Sequence, residues 1–335
     1  MEYVELGKTG LKISKLGFGG IPIQRIEEDQ TPLLIDALID KGINFIDTAR
    51  GYTVSEQYLG KALEGKREHF VLATKSMART KSAMAQDIDI SLHNLRTNYI
   101  DLYQIHNPSM EQLDQVLHTD GALEALQEAK EAGKIRHIGL TAHSIEVFER
   151  ALKLDFIETI MFPYNIVERQ GEELIQKCME KKIGFIDMKP LAGGAIEDAQ
   201  LAIRFIMNNP AVSVVIPGMA DIKEIEQNVK AVENVLPLTS NEIKQMEEIK
   251  QKLGNQFCRR CNYCAPCSVG INIPSVFLFA GYLERYGLAS WAKDRYQSLS
   301  VKASACIDCG ICETRCPYEL PIREMLKKAV IDFGE

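Results

Sequence analysis

Residues 70–106, FVLATKSMARTKSAMAQDIDISLHNLRTNYIDLYQIH, contain one unit of the repeat that determines the fold. Apolar and β-branched side chains concentrate in the two short runs that bound this stretch, residues 70–75 and 101–106, and a longer amphipathic segment separates them. Short strands that alternate with helices are typical of a parallel sheet, because neighbouring parallel strands need a crossover connection. The stretch is therefore predicted to form a strand, a helix and a second strand parallel to the first.

The same alternation occurs eight times before Pro237. The predicted strands are residues 16–20, 44–47, 70–75, 101–106, 137–141, 159–164, 184–189 and 212–217. Eight equal units favour a closed (β/α)8 barrel, the TIM barrel, over an open doubly wound sheet. Residues 3–14 alternate weakly around two glycines and predict a small hairpin at the N-terminal mouth of the barrel.

The length of the chain fits one such barrel with an appended domain. A barrel of this kind takes about 250 residues, and the chain has 335. After Pro237 the pattern predicts a helix over 240–253 that Gly254 ends, a mostly helical segment over 273–298 with a break near Gly287, and a short helix over 323–331. We expect a barrel domain at residues 1–254 and a second, α-helical domain at residues 255–335.

Charge and hydropathy exclude several classes of protein. The formal charge is −7 and no basic stripe occurs, which argues against nucleic-acid binding. The opening residues, Met-Glu-Tyr-Val-Glu-Leu, have no basic and apolar leader pattern, and no apolar run reaches the length of about 18 residues that a membrane helix needs. We expect a cytoplasmic protein that does not enter the membrane and whose partners are small molecules or proteins.

Eight of the nine cysteines lie in two short runs near the end of the chain. Under reducing conditions clustered cysteines bind metal more often than they form disulfides. The first run is Cys258-x2-Cys261-x2-Cys264-x2-Cys267, and the second is Cys306-x2-Cys309-x2-Cys312-x3-Cys316-Pro317. The second run has the bacterial ferredoxin spacing, in which the fourth cysteine ligates the other cluster. The ninth cysteine, Cys178, is expected to be a buried apolar residue.

This part of the chain resembles two-cluster ferredoxins of the helical dicluster type. The resemblance implies one [4Fe–4S] cluster on Cys258, Cys261, Cys264 and Cys316, and a second on Cys306, Cys309, Cys312 and Cys267. The first run is one residue shorter than the second and has Ser268 where a proline is usual. A zinc site is the alternative, but zinc motifs usually pair two cysteines with two more.

Four polar residues end or follow predicted strands, at the face where barrel enzymes hold their active sites. They are Asp47, Tyr52, Lys75 and His106. A phenol donates its proton reluctantly near pH 7, and a neighbouring ammonium group makes it more acidic. A carboxylate can hold that ammonium in place, and a histidine can hydrogen-bond the substrate oxygen. One such residue alone is as easily explained by a helix cap, but four in register suit the reduction of a carbonyl or the oxidation of an alcohol.

Three segments resemble the signatures of the aldo-keto reductase family, and the resemblance spans about residues 1–235. The segments are residues 45–49, Phe-Ile-Asp-Thr-Ala, residues 55–63, Ser-Glu-Gln-Tyr-Leu-Gly-Lys-Ala-Leu, and residues 99–106, Tyr-Ile-Asp-Leu-Tyr-Gln-Ile-His. The resemblance implies that Tyr52 is the general acid and that His106 orients the substrate. It implies that Lys75 and Asp47 together tune the acidity of the phenol.

The resemblance also implies a nicotinamide cofactor. Asn165 would hold the carboxamide, Ser144 or His143 would line the same pocket, and Asn228 would contact the adenine. Further candidate contacts lie at the ends of predicted strands or in the loops after them, at Gly20, Met188, Pro190, Leu191, Gly193, Gly194 and Gly218. Gly193, Gly194 and Gly218 would let backbone amides approach a phosphate, although a glycine after a strand is more often part of a turn.

Two features depart from the family's usual cofactor site. Met188 stands where the family usually has a tyrosine under the nicotinamide, and Gly218 and Glu224 stand where many members have Lys and Arg. A 2′-phosphate would lose two charge-assisted contacts there. NAD(H), NADP(H) held weakly through Lys223, and a flavin such as FMN are therefore all open.

The two predicted domains imply different electron chemistry. A nicotinamide passes two electrons as a hydride, whereas a cubane cluster passes one electron at a time. We predict an oxidoreductase that interconverts a carbonyl and an alcohol with a nicotinamide and carries two [4Fe–4S] clusters. The alternatives are a flavin enzyme linked to a ferredoxin-like electron donor and a sensor of redox state or oxygen. The sequence identifies neither the substrate nor the oligomeric state.

Overall fold

The computed structural model of the protein describes residues 1–233, 235, 237–254, 256–260 and 262–335. The chain divides into two units. Unit 1 comprises Met1–Asn165, Arg169–Leu191 and Asp198–Leu238, and unit 2 comprises Ile166–Glu168, Ala192–Glu197 and Thr239–Glu335. The two short segments that unit 2 takes from the first part of the chain were not foreseen. The boundary at Gly254 stays a prediction.

Unit 1 begins with a hairpin of two antiparallel strands, β1 (Tyr3–Glu5) and β2 (Lys12–Ser14). Leu6 and Ile13 are fully buried and pack in a cluster of interior side chains with Phe45 and Ile186. Gly7, at a φ of +58°, approaches the backbone so closely that a Cβ there would lie 2.2 Å from the nitrogen of Gly184. Since Gly184 begins a barrel strand, the hairpin lies at the N-terminal end of the strands, as predicted.

The rest of unit 1 is a (β/α)8 barrel. Its eight strands are β3 (Phe18–Gly19), β4 (Phe45–Asp47), β5 (Val71–Ser76), β6 (Ile100–His106), β7 (Ile135–Thr141), β8 (Thr159–Pro163), β9 (Gly184–Met188) and β10 (Val214–Ile216). Each strand pairs in parallel with the next one along the chain. Backbone bonds of 2.9 Å from Gly17 to Val215 and from Gly19 to Pro217 join the first strand to the last and close the barrel. All eight predicted strands are confirmed, with ends within two residues.

Helices connect the strands of the barrel. They are α1 (Thr31–Asp40), α2 (Ser55–Ala62), α3 (Lys81–Asn94), α4 (Met110–Leu117), α5 (Ala122–Glu131), α6 (Ile145–Ala151), α7 (Glu172–Glu180), α8 (Ala199–Met207) and α9 (Ile222–Glu233). Local sequence explains where they begin. Ser109, for example, accepts a hydrogen bond from the amide of Gln112, whose side chain accepts one from the amide of Ser109, and this capping box starts α4.

Unit 2 is α-helical apart from its loops, as predicted. Its helices are α10 (Ser240–Leu253), α11 (Ile273–Glu284), α12 (Ala289–Gln297), α13 (Ile311–Thr314) and α14 (Ile322–Phe333). Its core is an apolar cluster in which Tyr296 stacks on Phe333 with ring centres 3.9 Å apart. Gly287, at a φ of +64°, lies in the break between α11 and α12. Within the described ranges, no helix of either unit has both the length and the apolarity to span a bilayer.

Candidate functional site

Lys75 and Asp47 form a buried ion pair near the carboxyl ends of two neighbouring strands. Asp47 ends β4, and Lys75 is the fifth of the six residues of β5. Lys75 Nζ donates to Asp47 Oδ2 at 2.5 Å and to the carbonyl oxygen of Thr48 at 2.8 Å. Gln104 Nε2 donates to the second carboxylate oxygen, Oδ1, at 3.0 Å. The pair is thus held in one orientation from both sides.

Burial acts strongly on this pair, because each residue is only 2% exposed. Burial raises the pKa of Asp47 and lowers the pKa of Lys75, and the ion pair opposes both shifts. The surrounding hydrogen bonds suit the charged forms, since the Gln104 amide donates to a carboxylate and the Thr48 carbonyl accepts from an ammonium. The ion pair is therefore the state that its neighbours are arranged to stabilise.

Tyr52 and His106 complete the predicted group of four. Tyr52 lies in the loop after β4, and its ring centre is 4.9 Å from Lys75 Nζ. His106 ends β6, and its ring meets the Tyr52 ring edge to face at 6.4 Å. Both rings are half-buried, whereas the ion pair is buried. The structure therefore brings the four residues together, with the phenol and the imidazole on the more accessible side.

Two further polar residues of this region were missed in the sequence analysis. Gln104, two residues before His106 on β6, contacts Asp47. Since alternate residues of a strand face the same side, that spacing contained the signal. Arg79 lies in the loop after β5, and its Nη2 donates to the backbone oxygen of His106 at 2.7 Å. No periodicity fixes the direction of a loop side chain, so the sequence held no comparable signal for Arg79.

The residues predicted to contact a nicotinamide differ in their surroundings. Asn165, fully buried after β8, donates from Nδ2 to the backbone oxygen of Lys189 at 3.0 Å. Met188 ends β9 and is half-buried. Ser144, which follows the half-buried His143, caps α6 by accepting a hydrogen bond from the amide of Val147 at 3.4 Å. The hydroxyl of Ser144 thus has a local structural role whatever else it contacts.

The other predicted cofactor residues are spread over both units. In unit 1, Gly20 donates its amide to the backbone oxygen of Asp47 at 2.8 Å, and Asn228 is buried on α9. Pro190 is buried and Leu191 half-buried in the loop after β9. In unit 2, Gly193 and Gly194 have φ values of +67° and +81°. Gly193 accepts a hydrogen bond from Arg285 Nε at 3.0 Å, and a Cβ on it would lie 3.0 Å from the hydroxyl of Tyr286.

A carboxylate of the protein itself already accepts a hydrogen bond from a backbone amide in the loop between β10 and α9. Glu224 Oε2 accepts a hydrogen bond from the amide of Ala220 at 2.6 Å, and Asp221 Oδ1 accepts one from the amide of Glu224 at 2.8 Å. Gly218 bridges to Gly19 at the seam of the barrel. Lys223 is exposed. Negative side chains therefore satisfy amides at the start of this helix, where an anion would otherwise bind.

The cysteines of unit 2 line several cavities. One is lined by both Cys264 and Cys267, and two others each contain one group of cysteines. Cys267, Cys306, Cys309 and Cys312 line the first of these two. Cys258, Cys264 and Cys316 line the second. Each run thus contributes its fourth cysteine to the cavity lined by the other run, the same division that the ferredoxin resemblance implies. Cys261 lies outside the described residues. Among the residues that are described, no three potential ligands converge on a single metal-ion position.

Polar and charged side chains lie close to these cysteines. Ser268 Oγ is 3.4 Å from Cys309 Sγ, and this contact, with the amide of Ile311, lowers the pKa of the Cys309 thiol. Arg260 Nη1 donates to the backbone oxygen of Cys258 at 3.2 Å, and its Nη2 forms a 2.6 Å ion pair with Glu168.

Cys178 is a different case, because it lies on α7 in unit 1. Burial raises the pKa of its thiol to about 12, so the side chain is a neutral, buried residue as expected.

Comparison with known proteins identifies both parts of the chain. Residues 15–200 and 196–251 match the sequence profile of the aldo/keto reductase family, and residues 257–321 match that of the 4Fe-4S dicluster domain. The uncharacterized oxidoreductase YqkF of Bacillus subtilis is 26% identical over 296 residues, which are 72% of this chain and 94% of that protein. L-galactose dehydrogenase of Arabidopsis thaliana is 27% identical over 310 residues, 76% of this chain and 96% of that one.

Solved structures agree with the sequence matches. The holo form of the aldo-keto reductase AKR11C1 from Bacillus halodurans superposes with a TM-score of 0.65 at 28% identity, and the match covers 74% of this chain and 96% of that one. The family profile covers more than half of the chain and includes every strand of the barrel. The chain therefore belongs to the aldo/keto reductase family, as an oxidoreductase that carries a C-terminal 4Fe-4S dicluster domain.

Proposed function

We propose that the protein interconverts a carbonyl and an alcohol with NAD(H) bound in the barrel, and that unit 2 holds two [4Fe–4S] clusters. The observation that carries the first part is the position of the Lys75–Asp47 ion pair, whose ammonium nitrogen lies 4.9 Å from the centre of the Tyr52 ring. A phenol beside a buried ammonium is suited to donate a proton to an oxygen that becomes negative during the reaction.

In the reducing direction, a bound nicotinamide would supply a hydride to the carbonyl carbon. Tyr52 donates its phenolic proton to the carbonyl oxygen, so that the C=O bond becomes an alcohol and the phenolate is left on the enzyme. Lys75 stabilises that phenolate by its charge, and Asp47 keeps Lys75 charged and oriented. The imidazole of His106 hydrogen-bonds the carbonyl oxygen and positions it. Oxidation of an alcohol follows the same path in reverse, with the Tyr52 phenolate accepting the proton.

The preference for NAD(H) over NADP(H) rests on the loop before α9. The Glu224 carboxylate accepts a hydrogen bond from the amide of Ala220, and Gly218 has no side chain to offer. A 2′-phosphate near this loop would meet a negative charge where tight binding needs positive ones. Lys223, which is exposed, is the one positively charged residue in the sequence from residue 218 to residue 224.

The two groups of cysteines fit iron–sulfur clusters in chemistry and in number. Thiolates are the ligands of [4Fe–4S] clusters, and each cluster takes four. Cys267, Cys306, Cys309 and Cys312 would hold one cluster. Cys258, Cys264 and Cys316 would hold the other, with Cys261 as its fourth ligand by the spacing of the run. When bound, such clusters transfer single electrons.

A second candidate function follows from Met188. This residue ends β9 where the family usually has an aromatic platform, and a thioether does not stack on a nicotinamide as a tyrosine does. A flavin in the barrel would accept electron pairs and release single electrons, which the clusters would exchange with a ferredoxin-like partner.

Anaerobic purification with iron, sulfide and cofactor analysis tests these proposals together. We expect about eight irons per chain, no flavin, and oxidation of NADH that depends on an added aldehyde at about 1 per second or faster. A bound flavin would favour the second candidate, and zinc in place of iron would refute the assignment of the cysteines. Absence of turnover with every carbonyl tested would favour a sensor over an enzyme.

A further inference from the structure

We propose that the barrel site takes carbonyl substrates that carry a carboxylate, and that Arg79 binds this carboxylate. The inference rests on the proposed function, because it specifies the class of substrate for the same site. It is carried by the position of the Arg79 side chain beside His106 and by the absence of an acidic partner among the residues that the structure describes.

Arg79 lies at the same end of the barrel as the four candidate catalytic residues. It follows Lys75 by four residues in the loop after β5, and its Nη2 donates to the backbone oxygen of His106 at 2.7 Å. Its own carbonyl oxygen accepts a hydrogen bond from the amide of Ala122 at 3.0 Å, and Thr80 bridges to Gly121. The loop is therefore anchored at Arg79 and at Thr80, and the hydrogen bond from Nη2 holds the guanidinium group next to the residue that would position the carbonyl oxygen.

Among the described residues, Arg79 has no carboxylate partner, unlike six other arginines of unit 1. Its contacts are all neutral: the backbone oxygen of His106, the backbone oxygen of Ala78 at 3.4 Å, and the amide oxygen of Gln112 at 3.3 Å. Six other arginines of unit 1 each form an ion pair with a carboxylate. They are Arg50, Arg67, Arg96, Arg136, Arg150 and Arg169. Arg79 is thus a cation without an anion among the described side chains.

Part of this guanidinium is also buried without an acceptor. The Nε atom is buried and has no hydrogen-bond partner among the described residues, although a buried donor is costly to leave unsatisfied. Burial lowers the pKa of Arg79 to about 10, so the group is still charged at neutral pH. A ligand with two coplanar oxygens would satisfy the remaining donors and the charge together.

The local balance of charge favours a carboxylate over a phosphate ester. Two other cations near Arg79 are already paired: Lys75 is neutralised by Asp47, and Lys81 forms ion pairs with Glu124 and Glu128. Arg79 therefore contributes about one net positive charge to the mouth, which matches a carboxylate, whereas a phosphate monoester carries nearly two negative charges. We accordingly expect short oxo acids and the corresponding hydroxy acids as substrates.

The test compares oxo acids with their methyl esters, which differ in charge but not in the reacting carbonyl. Pyruvate, 4-oxobutanoate and 5-oxopentanoate vary the distance between the two groups. We expect at least one acid to exceed its ester by about tenfold or more, both in kcat/KM with NADH and in calorimetric affinity for the NAD-loaded protein. Arg79→Gln is expected to abolish that preference, and Arg79→Lys to keep part of it, because a charge without the planar fork remains.

Arg150→Gln is the matched control. Arg150 also lies in unit 1, on α6, and pairs with Asp114 at 3.6 Å, so its loss changes the net charge equally. It should leave the ratio of acid to ester unchanged. Equal values for acid and ester in the unmodified protein, or a preference that survives in Arg79→Gln, would overturn the proposal. If acids and esters are turned over equally well, the role of Arg79 is refuted but the proposed reaction is not. If acids bind preferentially but no compound is turned over, the proposed reaction is refuted and the role of Arg79 stands.

Discussion

Lys75 Nζ and Asp47 Oδ2 lie 2.5 Å apart, and each of the two residues is only 2% exposed. Removing one member of such a pair leaves a buried charge without compensation. Asp47→Asn is therefore expected to lower the free energy of unfolding by about 3 kcal/mol or more and to reduce turnover sharply. Chemical denaturation followed by circular dichroism measures the first effect, and steady-state kinetics the second.

The double variant Asp47→Asn with Lys75→Met separates the two roles of the pair. Because it removes both charges, it is expected to recover part of the lost stability without recovering activity. If the double variant regained activity together with stability, the ion pair would be a structural feature and the proposed tuning of Tyr52 would be wrong.

Tyr52→Phe removes one hydroxyl and retains the ring. If Tyr52 is the proton donor, kcat should fall by about a hundredfold to ten-thousandfold. Tyr103→Phe is the matched control, since Tyr103 is a buried tyrosine of β6 whose hydroxyl lies 3.3 Å from Ser91 Oγ. Comparable turnover in Tyr52→Phe and the unmodified protein would remove Tyr52 from the proposed mechanism. The NADH dissociation constant of each variant reports whether the cofactor site is intact.

Much of the barrel and of its candidate site was predictable from the sequence, because both depend on short-range patterns. Apolar runs of four to six residues located every strand, and parallel strands bring their carboxyl ends to one face. Asp47, Lys75 and His106 end or nearly end their strands, so their meeting in space follows from the topology alone.

Contacts made by loops were not predictable in this way. Arg79 and the Glu168–Arg260 ion pair depend on the path of loops that no periodicity describes. The close approach of Gly193 to Tyr286 within unit 2 is another contact of this kind, and the role of Gly193 at a cofactor phosphate stays a prediction. The crosswise assignment of the cysteines rests on the resemblance to ferredoxins and stays a prediction, since spacing along the chain does not reveal which run receives which fourth cysteine.

Glu224→Arg tests the choice of cofactor. It replaces the carboxylate bound to the amide of Ala220 with a guanidinium that suits a 2′-phosphate. We expect the ratio of kcat/KM for NADPH to that for NADH to rise by about tenfold or more. Glu233→Arg, the same change at the other end of α9, should leave the ratio as it was. A ratio that moves equally in both variants would reflect net charge and would argue against an adenosine phosphate near Glu224.

Paired cysteine variants test the crosswise assignment of the clusters. Cys267→Ser and Cys312→Ser should each reduce the iron content from about eight to about four per chain, and so should Cys316→Ser. If Cys267 and Cys312 serve one cluster, their double variant should lose no more iron than either single variant. The double variant of Cys264 and Cys267, two cysteines of the same run, should lose nearly all of it. The opposite pattern of losses would assign each run to its own cluster.

Glu158 provides a pH-dependent test of stability in the barrel. Its carboxylate lies 2.8 Å from His137 Nδ1 and accepts hydrogen bonds from Lys130 Nζ at 2.7 Å and from the amide of Ile138 at 3.0 Å. Burial alone would raise the pKa of Glu158, but these contacts outweigh burial and lower the pKa to about 2, from an ordinary value of 4.5. The folded state therefore binds the proton more weakly than the unfolded state does.

A carboxylate with a depressed pKa stabilises the fold above the unfolded pKa, and this stabilisation is lost as the pH falls through 4.5 towards 2. Glu158→Gln should lower the free energy of unfolding by up to about 3 kcal/mol at pH 7. The difference from the unmodified protein should shrink below pH 4.5, which denaturation at pH 7 and at about pH 3.5 would measure. Glu149→Gln, at an exposed position of α6, should show no such difference at either pH. A difference for Glu158→Gln that stays constant over this range would mean that the packing of Glu158, and not its charge, supports the strands β7 and β8.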